Sequence, residues 1–251
     1  MDQGGPVVQA HQRGVASGIS EFKVHSAVES VSALGGYPIS ADHPLSRRVS
    51  FPKAIYRIHE LSRPQEFLIR SLDIAGAALI LLVTAPILFL FSILIKVLSP
   101  GPILYKQERV GRQGGLFTLY KFRSMIEDAE RHVGPVWASQ EDGRVTSIGR
   151  VMRKMRIDEL PQLINVLKGD MSLVGPRPER PFFVNRHRAL QGVRLAVRPG
   201  LTGLAQIRAF YDLRPEHKLR YDYLYIQNRS FLLNLSILLK TIPVVIRKTG
   251  W

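Results

Sequence analysis

The longest apolar stretch of the chain runs from Ile74 to Ile95 (IAGAALILLVTAPILFLFSILI) and contains no charged residue. An α-helix needs about 20 such residues to cross a bilayer. A buried core helix is the alternative, but an uncharged run of this length in a small basic chain favours a membrane segment. The pattern therefore predicts that the protein is attached to a membrane.

Two features of this segment argue against a simple crossing. Pro86 follows Ala85 near the middle, where a proline removes a backbone hydrogen bond and kinks a helix. Six lysines or arginines lie between residues 47 and 70 and six between residues 96 and 123, so the positive-inside rule gives the segment no orientation. We predict a re-entrant segment, broken at Ala85-Pro86, that returns to the same face. A kinked spanning helix is the alternative.

Shorter apolar patterns follow. Apolar residues at helical spacing predict a basic amphipathic helix from Ile148 to Met155 and a second helix from Leu160 to Lys168. Met171 to Val174 has the pattern of a short strand. The stretch from Phe231 to Ile246 is too short and too polar to cross a bilayer, and we expect it in the membrane interface or in the core. The predicted fold is predominantly α with a few short strands.

Composition narrows the chemistry. The 251 residues carry a formal charge of +15, so anionic partners are expected: nucleic acid, an anionic membrane leaflet or phosphorylated small molecules. The sequence contains no cysteine, which excludes disulfides, zinc-thiolate sites and thiol nucleophiles and leaves oxygen ligands for hard metals. The first twenty residues have no apolar run of signal-peptide length.

Two adjacent acids, Asp158 and Glu159, fall at the junction of the two predicted helices, because Pro161 forbids one continuous helix there. Asp158 is in a place where it could cap the second helix. The same place suits chemistry, since a helix N-terminus keeps a carboxylate ionised and attracts phosphate, as a nucleophile beside an anionic substrate requires. These residues alone leave both interpretations open. Arg153 could neutralise such a substrate.

Two proline-rich loops each carry an arginine. Arg177 is bracketed by prolines in GPRPERP (residues 175–181), and Arg198 precedes Pro199 in VRPGLTG (residues 197–203). Proline stiffens the backbone on either side, and a guanidinium held in this way suits bidentate phosphate binding. The alternative is a solvated arginine in a turn, so each loop alone is weak evidence.

The run DELPQLINVLKGDMSLVGPRPERP (residues 158–181), preceded by RVTSIGRVMRK and followed by RPGLTGLAQ, resembles the bacterial sugar transferase family. Its members are monotopic phosphoglycosyl transferases that act on polyprenyl phosphate. The resemblance extends to RSLD (residues 70–73), the apolar segment and YKFRSM (residues 120–125), and thus covers roughly residue 68 to the C-terminus. Several motifs in the right order and spacing make it specific.

The resemblance implies transfer of a sugar 1-phosphate from a UDP-sugar to undecaprenyl phosphate with release of UMP. This reaction is the first membrane step of exopolysaccharide or other surface glycan synthesis, and RPERP resembles exopolysaccharide-type members, which slightly favours a hexose. The implied location is the bacterial inner (cytoplasmic) membrane, with the catalytic domain facing the cytoplasm. The bilayer and downstream glycosyltransferases are the implied partners, and nucleic acid is not.

Residue roles also follow from the resemblance. Asp158 is implied as the nucleophile that forms a covalent phosphosugar intermediate and contacts Mg²⁺, and Glu159 as its partner in metal binding or proton handling. Arg153 and Arg177 fall on phosphate-binding positions. Weaker assignments to phosphate or substrate binding are Lys121, Arg123, Arg198 and Asp222.

The resulting organisation is a flexible tail (residues 1–45), a juxtamembrane segment (46–68), a re-entrant helix-break-helix (69–98) and a cytoplasmic catalytic domain with interfacial helices (99–251). Family members often have Ser-Pro at the break, where this chain has Ala85-Pro86. Thr84 could supply the missing hydroxyl to the carbonyl four residues earlier. Two other functions remain open from the residues: a membrane-bound metal-dependent phosphohydrolase, and a non-catalytic basic membrane scaffold.

Overall fold

The computed structural model describes residues 61–131, 134, 136, 142–208 and 215–246. The predicted tail and residues 46–60 of the juxtamembrane segment lie outside the described residues. In the described part helices dominate and the strands are short, which confirms the predicted fold class at that level.

Helix α1, Arg63–Leu98, contains the long apolar segment. Of the helices in the described part, it is the one long and apolar enough to cross a membrane, and 6% of its most apolar window is buried. Leu82, Val83 and Phe89 expose two thirds or more of their surface. A helix with so much uncovered apolar surface is suited to lipid contact, which supports membrane association.

Helix α1 runs without interruption past Ala85 and Pro86, so the predicted break does not divide it into two helices. The Thr84 hydroxyl donates to the Ile80 carbonyl at 2.6 Å, as predicted. The carbonyl that loses its helical donor to Pro86 is that of Leu82, so the Thr84 bond is an additional donor to the preceding turn and does not replace the missing one. The re-entrant path itself stays a prediction.

A hairpin follows α1. Strands β1, Leu104–Val110, and β2, Leu116–Phe122, pair antiparallel with Tyr105 opposite Lys121. Because side chains alternate across a strand, Tyr105, Gln107 and Arg109 share one face of β1.

Helix α2, Ser147–Lys154, begins after Thr146, whose hydroxyl accepts from the Gly149 N–H at 3.0 Å. A 3₁₀ helix, Ile157–Gln162, then leads into α3, Leu163–Lys168. The second predicted helix, from Leu160, is therefore α-helical only from Leu163.

The remaining elements surround a short parallel pair, β3 (Ser172–Val174) and β4 (Gly200–Thr202). Between these strands lie α4 (Pro181–Arg186) and the 3₁₀ turns Arg188–Leu190 and Gly192–Ala196. After them come α5 (Leu204–Arg208), α6 (Pro215–Asn228) and α7 (Phe231–Ile246).

The N-terminal half of α1 belongs to the main core. Ala77 is fully buried in the cluster that also contains Leu163, Leu173 and Ile237. Asp73 accepts hydrogen bonds from the Ser172 hydroxyl at 2.9 Å and from the Leu173 N–H at 2.8 Å. This half of the helix is thus fixed to α3, β3 and α7.

The C-terminal end of α1 is fixed to the same compact unit at another place. Ile95 is fully buried against Phe122 of β2 and Met152 of α2. The Arg123 guanidinium donates to the Ser99 carbonyl, just after the helix, at 2.7 Å. The exposed apolar surface of α1 therefore lies between two anchored ends.

Helix α7 packs on the core with one face, and its place in the membrane interface stays a prediction. Asn234 and Ile237 are buried in the core, whereas Leu232, Leu239 and Ile246 are 60–73% exposed. One face packs inward and the other presents apolar side chains outward, as in an interfacial helix.

Candidate active site

The two adjacent acids lie in the 3₁₀ helix between α2 and α3. Arg156 precedes them in the left-handed region, at φ 58°, and turns the chain out of α2. Asp158 is 6% exposed, and its Oδ1 is buried without a hydrogen-bond partner. The cap positions of the 3₁₀ helix and of α3 are Arg156 and Gln162, so the capping interpretation of Asp158 is wrong. A buried oxygen without a donor is costly unless a ligand uses it.

Glu159 is held by two arginines. Arg177 donates to it through both terminal nitrogens, Nη1 to Oε2 at 3.1 Å and Nη2 to Oε1 at 2.5 Å. Arg156 lies 3.5 Å from Oε1. Burial would raise the pKa of Glu159, but the charges of Arg177 and Arg156 outweigh it and lower the pKa well below its usual range. Glu159 is therefore a fixed anion.

The environment of Asp158 is different. Burial, and then the charge of Glu159, raise the pKa of the Asp158 carboxyl above its usual range. Lys121 and Arg153 act in the opposite direction and favour the carboxylate. The expected lowering of the Asp158 pKa by a helix N-terminus is wrong: Asp158 lies in the first turn of the 3₁₀ helix, but burial and the charge of Glu159 outweigh that position. The ionised form depends on the nearby cations instead.

Two of the predicted cations lie beside the acids. Lys121 on β2 has its Nζ 5.7 Å from the centre of the Tyr105 ring. Burial, and then the neighbouring Arg109, lower the pKa of Lys121 to about 8. Arg153 on α2 donates through Nε to the Ser124 hydroxyl at 2.9 Å. Lys121 and Arg153 are therefore close enough to Asp158 for their positive charges to favour its ionised form.

The other three predicted residues have their hydrogen bonds in other parts of the fold. Arg123 holds the end of α1, as described above. Arg198 donates through Nε to the Gly169 carbonyl at 3.1 Å, at the end of α3. Asp222 is 2% exposed and accepts from Arg194 Nε at 2.5 Å. The positions of Arg198 and Asp222 therefore give no support to their predicted substrate contacts, whereas Arg123 keeps Nε and Nη1 buried without a hydrogen-bond partner.

Sequence reasoning missed Arg109, Glu179 and Arg194. Arg109 Nη1 donates to the Pro178 carbonyl at 2.9 Å, and Arg194 Nη2 donates to the Arg177 carbonyl at 2.7 Å. Two weak sequence patterns could have indicated them. Arg109 lies in the alternating polar positions of β1, and Arg194 is the one charged residue in the apolar stretch GVRLAV.

The donor set decides how a divalent cation would fit. In the part of the chain that the structure describes, no group of three or more His, Asp or Glu side chains could hold a metal ion. Asp158 Oδ1 has no protein donor, whereas both oxygens of Glu159 are bonded to Arg177. This arrangement fits Mg²⁺ bound through one carboxylate and completed by substrate phosphates and water. Glu159, the second predicted ligand, would first have to leave Arg177.

Comparison with known proteins identifies one family and relatives whose names describe sugar phosphate transfer. Residues 64–248 match the family described as Bacterial sugar transferase. The chain is 43% identical over 190 residues to the UDP-N-acetylgalactosamine-undecaprenyl-phosphate N-acetylgalactosaminephosphotransferase of Aeromonas hydrophila. The aligned region covers 73% of this chain and 45% of that protein. It is 43% identical over 185 residues to the UDP-glucose:undecaprenyl-phosphate glucose-1-phosphate transferase of Caulobacter vibrioides, and this alignment covers 69% of this chain and 68% of that protein.

A third relative is similar over most of its own length. The chain is 37% identical over 195 residues to the exopolysaccharide production protein ExoY of Sinorhizobium fredii, covering 72% of this chain and 86% of that protein. By contrast, the chain spans less than half the length of the Aeromonas relative, of which 45% is covered.

Proposed function

The chain belongs to the bacterial sugar transferase family, and from that premise we propose that it transfers a sugar 1-phosphate from a UDP-sugar to undecaprenyl phosphate and releases UMP. The observation that carries the proposal is the buried, unpartnered Oδ1 of Asp158 among cations, beside an acid that is already neutralised by Arg177. One carboxylate is thus left available for covalent chemistry.

The first half-reaction needs no proton transfer. An Asp158 carboxylate oxygen attacks the phosphorus that bears the sugar, and the bond between this phosphorus and the bridging oxygen of the diphosphate breaks. The bridging oxygen keeps the electron pair and leaves as part of UMP. The enzyme then holds the sugar phosphate as an acyl phosphate on Asp158.

In the second half-reaction an oxygen of the undecaprenyl phosphate dianion attacks the same phosphorus. The Asp158 carboxylate leaves with the electron pair, and the product is a lipid-linked sugar diphosphate. Charge balances in both steps, so the cations serve to stabilise the anionic transition states and not to accept protons.

The surrounding residues have distinct tasks in this scheme. Lys121 and Arg153 offset the negative charge of the diphosphate and keep Asp158 ionised. Arg177, aligned by Glu159, presents a planar guanidinium to a phosphate. Mg²⁺ held by Asp158 and the diphosphate would supply further charge neutralisation. The predicted preference for a hexose is part of the proposal.

We also propose that α1 is re-entrant, with the catalytic unit on the cytoplasmic face of the bacterial inner membrane. Support comes from the contacts of its two ends, since Asp73 and Ile95 both pack on the same compact unit. A spanning helix would separate its ends by about 30 Å of hydrocarbon, and a domain on one side could bind only one of them. Pro86 provides the place where the helix can bend.

The topology has a direct test, because the chain has no native cysteine. Single cysteines at Glu66 and Glu108, both exposed and on either side of the apolar segment, should react with an impermeant maleimide only from the cytoplasmic side. Labelling of the two positions from opposite sides of sealed vesicles would establish a spanning helix and contradict the re-entrant proposal.

The function is tested with purified protein, Mg²⁺, undecaprenyl phosphate and a panel of UDP-sugars that includes glucose, galactose and the N-acetylated hexosamines. The expected result is UMP release with one sugar preferred, together with a lipid-linked product. Asp158→Asn should abolish both, whereas Asp128→Asn, which changes an exposed acid, should change neither. Free sugar phosphate without lipid product would indicate the phosphohydrolase, and no product from any sugar would indicate the scaffold.

A further inference from the structure

Arg194 is a buried residue that no part of the proposed reaction uses. We propose that it is a positioning residue: anchored by Asp222, it fixes the backbone of Arg177 so that the Arg177 guanidinium meets Glu159. The inference rests on the proposed function for its catalytic consequence, but the contact that it describes can be tested without activity.

The geometry of Arg194 connects two distant parts of the fold. The side chain is 3% exposed in the 3₁₀ turn Gly192–Ala196. Its Nε donates to Asp222 Oδ2 on α6 at 2.5 Å, and its Nη2 donates to the Arg177 carbonyl at 2.7 Å. A guanidinium is planar, with its donors in a fixed fork. Once Asp222 sets the orientation of the fork, the position of the Arg177 carbonyl is set as well.

The loop that carries Arg177 is held at every step. Four consecutive carbonyls, from Pro176 to Glu179, each accept a hydrogen bond. The donors are the Gly200 N–H at 2.8 Å, Arg194 Nη2 at 2.7 Å, Arg109 Nη1 at 2.9 Å and the Val110 N–H at 3.0 Å. Arg194 and Arg109 are the two side chains in this set, so they are the places where a substitution can loosen the loop without altering a backbone bond.

Charge favours the same arrangement. Glu179 lies 3.2 Å from Lys218 Nζ and 3.9 Å from both Arg109 and Arg194. Burial would lower the pKa of Arg194, but Asp222 and then Glu179 outweigh it and raise the pKa above its ordinary value. Arg194 is therefore a permanent cation whose charge is offset within the protein and not by substrate.

Substitution of Arg194 by lysine distinguishes a role in positioning the loop from a role that needs only a positive charge. Arg194→Lys keeps the positive charge beside Asp222, but one ammonium on a flexible chain does not reproduce the fixed fork. Because misplacement of a catalytic group by about 1 Å can cost about 100-fold in rate, we expect kcat to fall by about 10- to 100-fold while KM for the UDP-sugar changes by less than about threefold. Arg186→Lys, at an exposed arginine stacked on Phe182, is the matched control and should behave as the parent.

The double variant tests the path of the effect. If Arg194 acts through Arg177, then adding Arg194→Lys to Arg177→Lys should lower kcat by less than about threefold further, since coupled residues are not additive. Full additivity of the two losses would overturn the proposal, because Arg194 would then act by another route. A parent-like kcat in folded Arg194→Lys would overturn it as well.

Amide hydrogen exchange provides the readout that needs no activity. Peptides covering residues 172–186 should lose protection in Arg194→Lys and keep it in Arg186→Lys, with the remainder of the protein unchanged. Unchanged protection of this loop would overturn the proposed clamp whatever the enzyme does. If the parent protein releases no UMP with any UDP-sugar, the proposed function fails, and the exchange result still decides whether Arg194 holds the loop.

Discussion

Two proline-flanked arginines look alike in the sequence and differ in the structure. The loops that carry Arg177 and Arg198 touch through their backbones: a Cβ atom on Gly175 would lie 2.5 Å from the Arg198 carbonyl oxygen. The Arg177 guanidinium nevertheless binds Glu159, whereas Arg198 Nε binds the Gly169 carbonyl. Proline stiffness makes an arginine suitable for recognition, and the partner that the fold brings to it decides the role.

The surroundings of the two side chains explain the difference. Arg177 lies near the two acids of the candidate active site and is matched in charge by Glu159. Arg198 lies among other arginines, and burial followed by Arg112 and Arg70 lowers the pKa of its guanidinium. Its hydrogen bond satisfies a carbonyl at the C-terminus of α3, where a cation is favourable. Arg198 is thus a structural arginine in this account.

The largest effect is expected from a change that disturbs both loops at once. In Gly175→Ala the new Cβ would lie 2.5 Å from the Arg198 oxygen and 2.9 Å from the Gly200 nitrogen, both backbone atoms that cannot give way cheaply. We expect a loss of about 3 kcal/mol or more in the free energy of unfolding. Chemical denaturation measures it, with Gly143→Ala, where a Cβ meets nothing within 4 Å, as the control. Equal stability of the two variants would show that the loops are not in contact.

A smaller effect, confined to activity, is expected from Arg177→Lys. The lysine keeps the charge but loses the bidentate bond to Glu159, and we expect kcat/KM for UMP release to fall by about 100-fold with little change in melting temperature. Activity within threefold of the parent would contradict the role of Arg177 in the active site, and Arg177 and Arg198 would then not differ in function.

The smallest effect is expected from Arg198→Ala. The substitution removes one hydrogen bond and a favourable charge at the end of α3, so unfolding should become easier by about 1 kcal/mol. UMP release per folded molecule should stay within about threefold of the parent. A loss of activity comparable to that of Arg177→Lys would return Arg198 to substrate binding, where the resemblance had placed it.

Sequence patterns correctly predicted the features that depend on residues close together in the chain. The length of the apolar segment predicted α1, and Pro161 placed Asp158 and Glu159 at a helix junction, as the structure has it. Thr84 bonds to the carbonyl four residues earlier because both atoms belong to one turn.

Features that depend on contacts between residues far apart in the chain could not be predicted from the sequence. The raised pKa of Asp158 follows from burial by packed elements, which no local pattern contains. Arg194 and Asp222 are 28 residues apart, and Arg109 and Pro178 are 69 residues apart. For the same reason the sequence could not separate Arg177 from Arg198, since their partners are set by the fold.

The most direct test of the central claim is the mass of the intact protein after incubation with its preferred UDP-sugar and Mg²⁺ in the absence of undecaprenyl phosphate. The account predicts an adduct with the mass of one sugar phosphate, located on Asp158 by peptide analysis and removed when undecaprenyl phosphate is added. Asp158→Asn should show no adduct, and Asp128→Asn should show the adduct of the parent. Turnover by the parent without any adduct under single-turnover conditions, or an adduct that persists in Asp158→Asn, would contradict the assignment of Asp158 as the nucleophile.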